Sequence, residues 1–213
     1  MPKSEQKEFD VIIVGGGPAG LFGAYYLAEN SNLSVLLLDK GNSPLKRKCP
    51  IKENGCIKCK PCNILCGIGG AGLFSDGKLN FIHKLGKTDL TQFMPEAEAR
   101  LLIDETEEIF NRFGMDGKVF PTDMERATQI RKDARKSGID LLIIKQKHLG
   151  SDNLPSHIAG MADYIENSGV VFHYLEEAQD IIVENGRVAG LVTEKATYRS
   201  NNVIMAPGRV GAE

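Results

Sequence analysis

The chain has 213 residues, 42% of them hydrophobic and 25% charged, and a formal net charge of −2 at pH 7. This is ordinary globular composition, long enough to bury a real core as one large domain or two small ones. The balanced charge gives no global reason to expect nucleic acid or an acidic membrane as partner, no apolar run approaches a membrane span, and the polar start MPKSEQKE is not a secretory signal, so the sequence reads as soluble and cytoplasmic.

The first predicted unit runs from Phe9 to Asp39 and carries Gly15, Gly17 and Gly20 in G-x-G-x-x-G order. Val11 to Val14 form a short apolar run suited to a parallel strand buried on both faces. Gly15 permits a tight turn, Gly17 lets backbone approach a pyrophosphate without an intervening Cβ, and Gly20 lets the helix pack closely on the strand. Pro18 and Ala19 fall in the first helical turn, where a missing N–H costs nothing and the free N–H groups and positive dipole end face the phosphates. Val35 to Leu38 predict a second strand. Asp39 ends it, 19 residues after Gly20, where a carboxylate can accept ribose hydroxyls and would repel a 2′-phosphate. Strand, turn, helix, strand and acid in this order point to a dinucleotide, which a lone glycine motif would not.

A basic, cysteine-rich segment follows from Lys40 to Cys66, then a glycine-rich stretch from Gly67 to Lys78. Periodicity predicts a helix over about 95–112, with Leu102, Ile109, Phe110 and Phe113 on one stripe. A second helix is expected over about 123–136, with Ile130 and Ala134 inward and a basic outer face. Ile139 to Ile144 reads as a strand. A third helix, about 154–167, carries Ile158, Met161, Ala162 and Ile165 on one face, with Asn153 or Asp152 as cap.

Val170–Tyr174 is strand-like. Ala178–Glu184 and Arg187–Thr193 flank Asn185-Gly186, a strong hairpin signal because both turn residues must accept positive φ. Ala196–Arg199 predicts a third antiparallel strand, and Val203–Ala206 a buried one ending in Pro207-Gly208. The expected fold class is α/β: a Rossmann-like parallel sheet with helices on its faces plus a three-stranded antiparallel β-meander. One domain over 1–213 is expected, with a Cys-rich and helical insertion at about 40–138.

This arrangement resembles the FAD-binding half of flavoproteins with the glutathione-reductase-like dinucleotide fold. There a three-stranded meander replaces the last helical crossover, and a following strand ends in a small-residue turn beside the flavin. Cys49-Pro50, then Cys56, Cys59 and Cys62, then the GGAGLFSDGK stretch from Gly69 to Lys78 and the HLGSD segment from His148 to Asp152 narrow the resemblance. They are similar to a family of poorly characterised NAD(P)/FAD-dependent dehydrogenases. By that resemblance, Gly15, Gly17, Pro18, Ala19 and Gly20 would sit on the FAD pyrophosphate and Asp39 on the adenosine ribose. Lys40 would lie near the adenine edge and backbone around Ala178 would meet adenine. Gly70, Ala71 and Gly72 would border the pyrophosphate or ring system, and Ala206 and Gly208 would approach from the second turn. NAD is the alternative dinucleotide.

The resemblance implies an FAD-dependent oxidoreductase acting on a small molecule, with this chain as its N-terminal nucleotide-binding part and no assignable catalytic acid or base. Members carry a further substrate-covering region, absent here. The other readings are an inactive nucleotide-binding fragment and an electron-transfer protein centred on the cysteines.

The five cysteines, Cys49, Cys56, Cys59, Cys62 and Cys66, lie within 18 residues, and the last four have the C-x2-C-x2-C-x3-C spacing of bacterial ferredoxin ligands with Gly67 in place of the usual proline. Lys46, Arg47, Lys48, Lys52, Lys58 and Lys60 surround them, either lowering thiol pKa values and stabilising an anionic cluster or forming a solvated basic loop. Three readings stand open: an Fe–S or Zn site, redox-active thiols, and unligated cysteines in a loop. Asp76 and Lys78 are candidates either for orienting substrate or for a mutual salt bridge. His83, His148, His157 and His173 are scattered, and Glu96, Glu98, Glu105, Glu107 and Glu108 read as the solvated face of a helix.

Overall fold

A computed structural model describes residues 6–51, 55–150 and 152–212. Met1–Glu5, Lys52 and Ser151, which the sequence reading touched, lie outside the described residues. In chain order the elements are β1 (Gln6–Glu8), β2 (Val11–Val14), α1 (Pro18–Asn30), β3 (Val35–Asp39), β4 (Lys78–Phe81), β5 (Lys84–Leu85), β6 (Thr88–Asp89), α2 (Glu96–Arg112), β7 (Val119–Phe120), α3 (Met124–Lys136) and β8 (Lys145–His148). They continue with α4 (Leu154–Asn167), β9 (Val171–Tyr174), β10 (Ala178–Glu184), β11 (Arg187–Thr193), β12 (Thr197–Arg199) and β13 (Val203–Met205). Two compact units result: residues 1–74 with 158–213, and residues 75–157. The segment from 40 to 138 therefore divides between them, its cysteine-rich part packing with the first.

The first unit is built on a parallel sheet of order β13-β2-β3-β9, in which Ile13 pairs with Leu37 and Ile204, and Leu38 with His173. Every residue of β2 and β3 is buried, as continuous apolar runs require when both faces are covered. One face carries α1, whose Gly20 and Gly23 lie over Ile13, with Tyr164 of α4 beside Tyr25. Met161, Ala162 and Ile165 on the predicted α4 stripe are buried. The other face packs Ile12, Val14, Leu36 and Leu38 against Leu191 and Tyr198 of a second sheet, β1-β12-β11-β10. Strands β10 to β12 form the antiparallel meander, with positive φ at Asn185 and Gly186 as the hairpin demands. The fold is thus the expected Rossmann-like α/β sheet with a meander. The polar N-terminal segment, which carried no strand signal, adds β1 parallel to β12.

A buried polar knot ties the meander to the parallel sheet. The Glu176 carboxylate accepts the hydroxyls of Thr193 and Tyr198 at 2.7 and 2.8 Å, and His173 Nδ1 lies 3.1 Å from it. Burial pushes the pKa of Glu176 up, but these hydrogen bonds and the nearby His173 and Lys195 outweigh it and hold the carboxyl below its ordinary value.

The second unit contains the antiparallel sheet β4-β8-β7, the β5-β6 pair, and helices α2 and α3. Three expectations fail here. The strand expected over Ile139–Ile144 forms instead at Lys145–His148, because that is where β4 and β7 supply ladder partners; Ile139 and Leu142 stay exposed. Leu102 and Ile130 are exposed too; Ile109 is buried as expected, and α2 turns Ala99 and Glu107 inward with it. Glu107 is not on a solvated face: Lys147 pairs with it at 3.0 Å and Lys145 also bonds it, so an acid with two lysine partners is buried in place of a leucine. Asp76 and Lys78 form a mutual salt bridge at 2.7 Å, and His148 bonds the Asp76 carbonyl oxygen at 3.0 Å.

Candidate functional site

The site lies in the first unit, at the C-terminal ends of β2 and β3, where open α/β sheets receive ligands. Gly15 leaves β2 at φ +101°, its N–H donating to the Leu38 carbonyl at 2.8 Å. A Cβ there would stand 2.3 Å from the Ala206 carbonyl oxygen, so the turn after β13 presses directly on the first glycine. A Cβ on Gly20 would stand 1.8 Å from the Gly15 carbonyl oxygen. Gly17 precedes α1 with no side-chain cap, and Pro18 and Ala19 are exposed. The first-turn N–H groups that follow have no acceptor within the helix, which leaves them for an anion.

A second glycine turn meets the first. Gly69 N–H donates to the Gly16 carbonyl at 2.8 Å, and Gly70, at φ +62°, faces Gly17: a Cβ on Gly70 would lie 3.2 Å from Gly17 Cα. Two backbone turns without side chains therefore stand face to face beside a helix N-terminus. Ala71 and Gly72 continue outward in an exposed helical turn, and Gly208 sits at φ +63° with open space around it. Ala206 is brought to the glycine turn; among these residues Ala71, Gly72 and Gly208 are not held against it.

Asp39 is buried. One of its oxygens accepts Gly16 N–H at 2.8 Å and the other Gly41 N–H at 2.7 Å, so the acid joins the glycine turn to the start of the cysteine-rich segment. The backbone leading to Ala178 runs alongside, with Glu176 N–H donating to the Asp39 carbonyl and Leu175 N–H to that of Gly41. Ala178 itself begins the meander ladder opposite Thr193. Lys40 pairs with Glu177 at 3.0 Å, which raises its pKa.

Arg47 is the residue the sequence did not single out. It is 2% exposed, and its guanidinium donates to the carbonyls of Asn63, Ile64, Gly67 and Ile68 at 2.7–3.2 Å while lying 5.1 Å from the Phe74 ring centroid. It staples the loop that delivers Gly69 and Gly70. The available signal was a lone arginine among lysines ahead of a glycine-rich loop: such a loop exposes carbonyls, and only a fork of donors satisfies several at once.

The cysteines do not converge as a ligand set. Cys49 and Cys56 are exposed, Cys59 and Cys62 half-buried, and Cys66 buried, and among the described residues no group of three His, Cys, Asp or Glu side chains is placed to hold a metal. The Fe–S or Zn reading thus finds no preformed ligand set among the described residues. Cys59, Cys62 and Cys66 instead line a cavity of about 600 Å³ that also touches Lys40 and Glu177. Backbone N–H groups of Leu65 and Ile64 aimed at the Cys62 sulfur hold its thiol below the usual range, whereas burial pushes Cys66 up.

Comparison with known proteins covers this geometry unevenly. A Thi4 family model matches residues 3–44, the strand–turn–helix–strand unit. Over 38 residues the chain is 50% identical to thioredoxin reductase of Bacillus subtilis, a match covering 18% of this chain and 12% of that protein. Nearly the whole chain, 98%, superposes on 49% of L-amino acid deaminase from Proteus vulgaris, with a TM-score of 0.54 and 20% identity. For 3-ketosteroid-Δ4-(5α)-dehydrogenase from Rhodococcus jostii RHA1 the TM-score is 0.58 and the identity 15%, over 96% of this chain and 46% of that one. The chain thus shares their fold and spans about half the length of these structural relatives. Among the described residues no helix is long and apolar enough to cross a membrane.

Proposed function

We propose that this chain is the FAD-binding part of an oxidoreductase of the glutathione-reductase-like superfamily, related to the uncharacterised NAD(P)/FAD-dependent dehydrogenases, acting on a small molecule. One observation carries the reading: Gly17 and Gly70, from separate turns, stand face to face at the N-terminus of α1. A side chain on Gly70 would crowd Gly17, so the two turns pack backbone on backbone, and the free N–H groups and dipole of the helix N-terminus beside them suit a pyrophosphate. Gly15, Pro18, Ala19 and Gly20 complete that cradle, with Ala206 closing it behind Gly15. Asp39 offers remaining carboxylate lone pairs to the adenosine ribose, and Lys40 and the backbone before Ala178 flank the adenine.

The meander in place of a further βαβ unit supports FAD over NAD, and structural relatives named as a deaminase and a dehydrogenase are consistent with redox chemistry. Bound FAD would supply the hydride acceptor. The residues of this chain would hold the cofactor's phosphates and sugar, orient it and keep water from its buried side. The visible spectrum of the purified protein with added FAD tests this: protein-bound flavin bands near about 450 nm are expected after removal of free cofactor. A colourless protein whose titration with FAD shows no quenching of flavin fluorescence would sink the reading.

A further inference from the structure

We propose that the outer face of the β4-β8-β7 sheet binds a nucleobase that carries a phosphate, that is, a mononucleotide. The inference stands apart from the flavin reading, because all of its groups belong to the second unit and none to the glycine cradle.

Register divides the side chains of this sheet between two faces. Leu79, Lys147 and Val119 stand opposite one another, as do Phe81 and Lys145, and α2 closes this face, its Glu107 bonding both lysines. The other face carries two rows: Lys78 with His148, and Asn80 with Gln146 and Phe120. Lys78, Asn80, His148 and Phe120 are all exposed there. Two stretches that stood out in the sequence, the one ending at Lys78 and the one opening at His148, are thereby folded into a single surface. Leu149 N–H donates to the Gly77 carbonyl at 2.9 Å, and His148 Nε2 to that of Asp76 at 3.0 Å.

Each row offers something a nucleotide needs. Gln146 donates an amide N–H to Asn80 Oδ1 at 2.5 Å, which leaves the Gln146 carbonyl oxygen as an acceptor beside the Asn80 amide as a donor. A ring edge with adjacent C=O and N–H groups, as in uracil, matches both, whereas an aliphatic ligand would leave them unanswered. Phe120, in the same row and 43% exposed, presents a ring on which a base can stack, with the Lys118 ammonium 5.7 Å from its centroid. The next row is cationic. A carbonyl oxygen only accepts, so His148 Nε2 carries the proton of its bond to Asp76, and Nδ1 is the position that gains one beside an anion. Lys78 is held to the Asp76 carboxylate at 2.7 Å in an exposed pair, of the kind that opens at small cost. The diagonal from Phe120 to His148 is about 7–8 Å between backbones, a gap that a ribose bridges from base to phosphate.

Uridine monophosphate is the probe, titrated calorimetrically into the full chain with FAD in excess, so that the glycine cradle is not what responds. Uridine, which lacks the phosphate, and ribose phosphate, which lacks the base, should each bind at least about tenfold more weakly. Phe120→Ala should weaken binding by about fivefold or more, and Asn80→Asp, which replaces the donor by a carboxylate, by a similar factor. On the unsubstituted chain without FAD, photolysis of iodouridine monophosphate followed by peptide mass mapping should attach the base to Phe120 or His148. No measurable binding, ribose phosphate binding as tightly as the nucleotide, or a label confined to residues 9–41 would overturn the proposal. The photolysis needs no variant, so a misfolded substitution cannot mask the answer, and the flavin titration reads the cradle separately, so either reading can fail alone.

Discussion

Gly17→Ala separates the cradle's part in ligand binding from its part in folding. Gly17 sits at φ −70° and ψ −176°, a backbone that alanine adopts without strain, and an added Cβ would meet only Gly70 Cα, at 3.9 Å. Two small effects on stability oppose each other. Alanine is the poorer N-cap, by about 1 kcal/mol, and it lowers the entropy of the unfolded chain, worth about 0.4–1 kcal/mol in the other direction. The net change is close to zero, so the thermal midpoint should move by no more than a few degrees. Binding should change far more. The methyl stands at the helix N-terminus, where a bare Gly17 would let the pyrophosphate approach the backbone, and overpacking of that kind costs about 1–3 kcal/mol. That corresponds to about a 5-fold to 150-fold loss of FAD affinity. Flavin-fluorescence titrations of wild type and variant, with melting curves on the same samples, measure both quantities. Wild-type affinity in a normally folded variant would refute the placement of the phosphates at the helix N-terminus against Gly17.

Gly20→Ala should behave oppositely: a Cβ 1.8 Å from the Gly15 carbonyl oxygen must push α1 off β2, lowering stability by about 3 kcal/mol in a denaturant titration, with or without FAD. Arg47→Lys should fail to restore what Arg47→Ala loses, since an ammonium cannot reach four carbonyls as the guanidinium does; faster hydrogen exchange over residues 63–70 in both variants is the expected signature. Glu176 has a folded pKa held below its unfolded value of about 4.3, so its contribution to stability is present above that value and lost as pH falls through the folded one. The stability gap between wild type and Glu176→Gln should therefore be widest near neutrality and shrink in acid, as urea titrations across pH can check.

The first unit was legible because its signals are local. Parallel strands covered on both faces read as unbroken apolar runs at Val11–Val14 and Val35–Leu38, and Asn185-Gly186 names its own turn. The same stretch also gave the glycine motif and Asp39. The second unit was legible mainly in its helices. Which apolar run becomes a strand depends on a partner strand, and β4 lies some sixty residues upstream of β8, so Ile139–Ile144 was a reasonable reading of residues that found no ladder. Glu107 and Arg47 failed for a related reason. A charge reads as solvent-facing until the donors or acceptors that bury it are known, and Lys145, Lys147 and the carbonyls of residues 63–68 are remote in sequence from what they hold.

Asp39 ends the second strand with both carboxylate oxygens already engaged, one by Gly16 and one by Gly41. A ligand hydroxyl arriving there shares an acceptor that also fastens two pieces of backbone. Gly41 in turn is wedged so tightly against Cys66 and Gly67 that a single methyl would collide with them. On the proposed reading the same side chain would both receive a sugar at the strand end and seat the thiol-bearing segment, and Asp39→Asn should disturb both together.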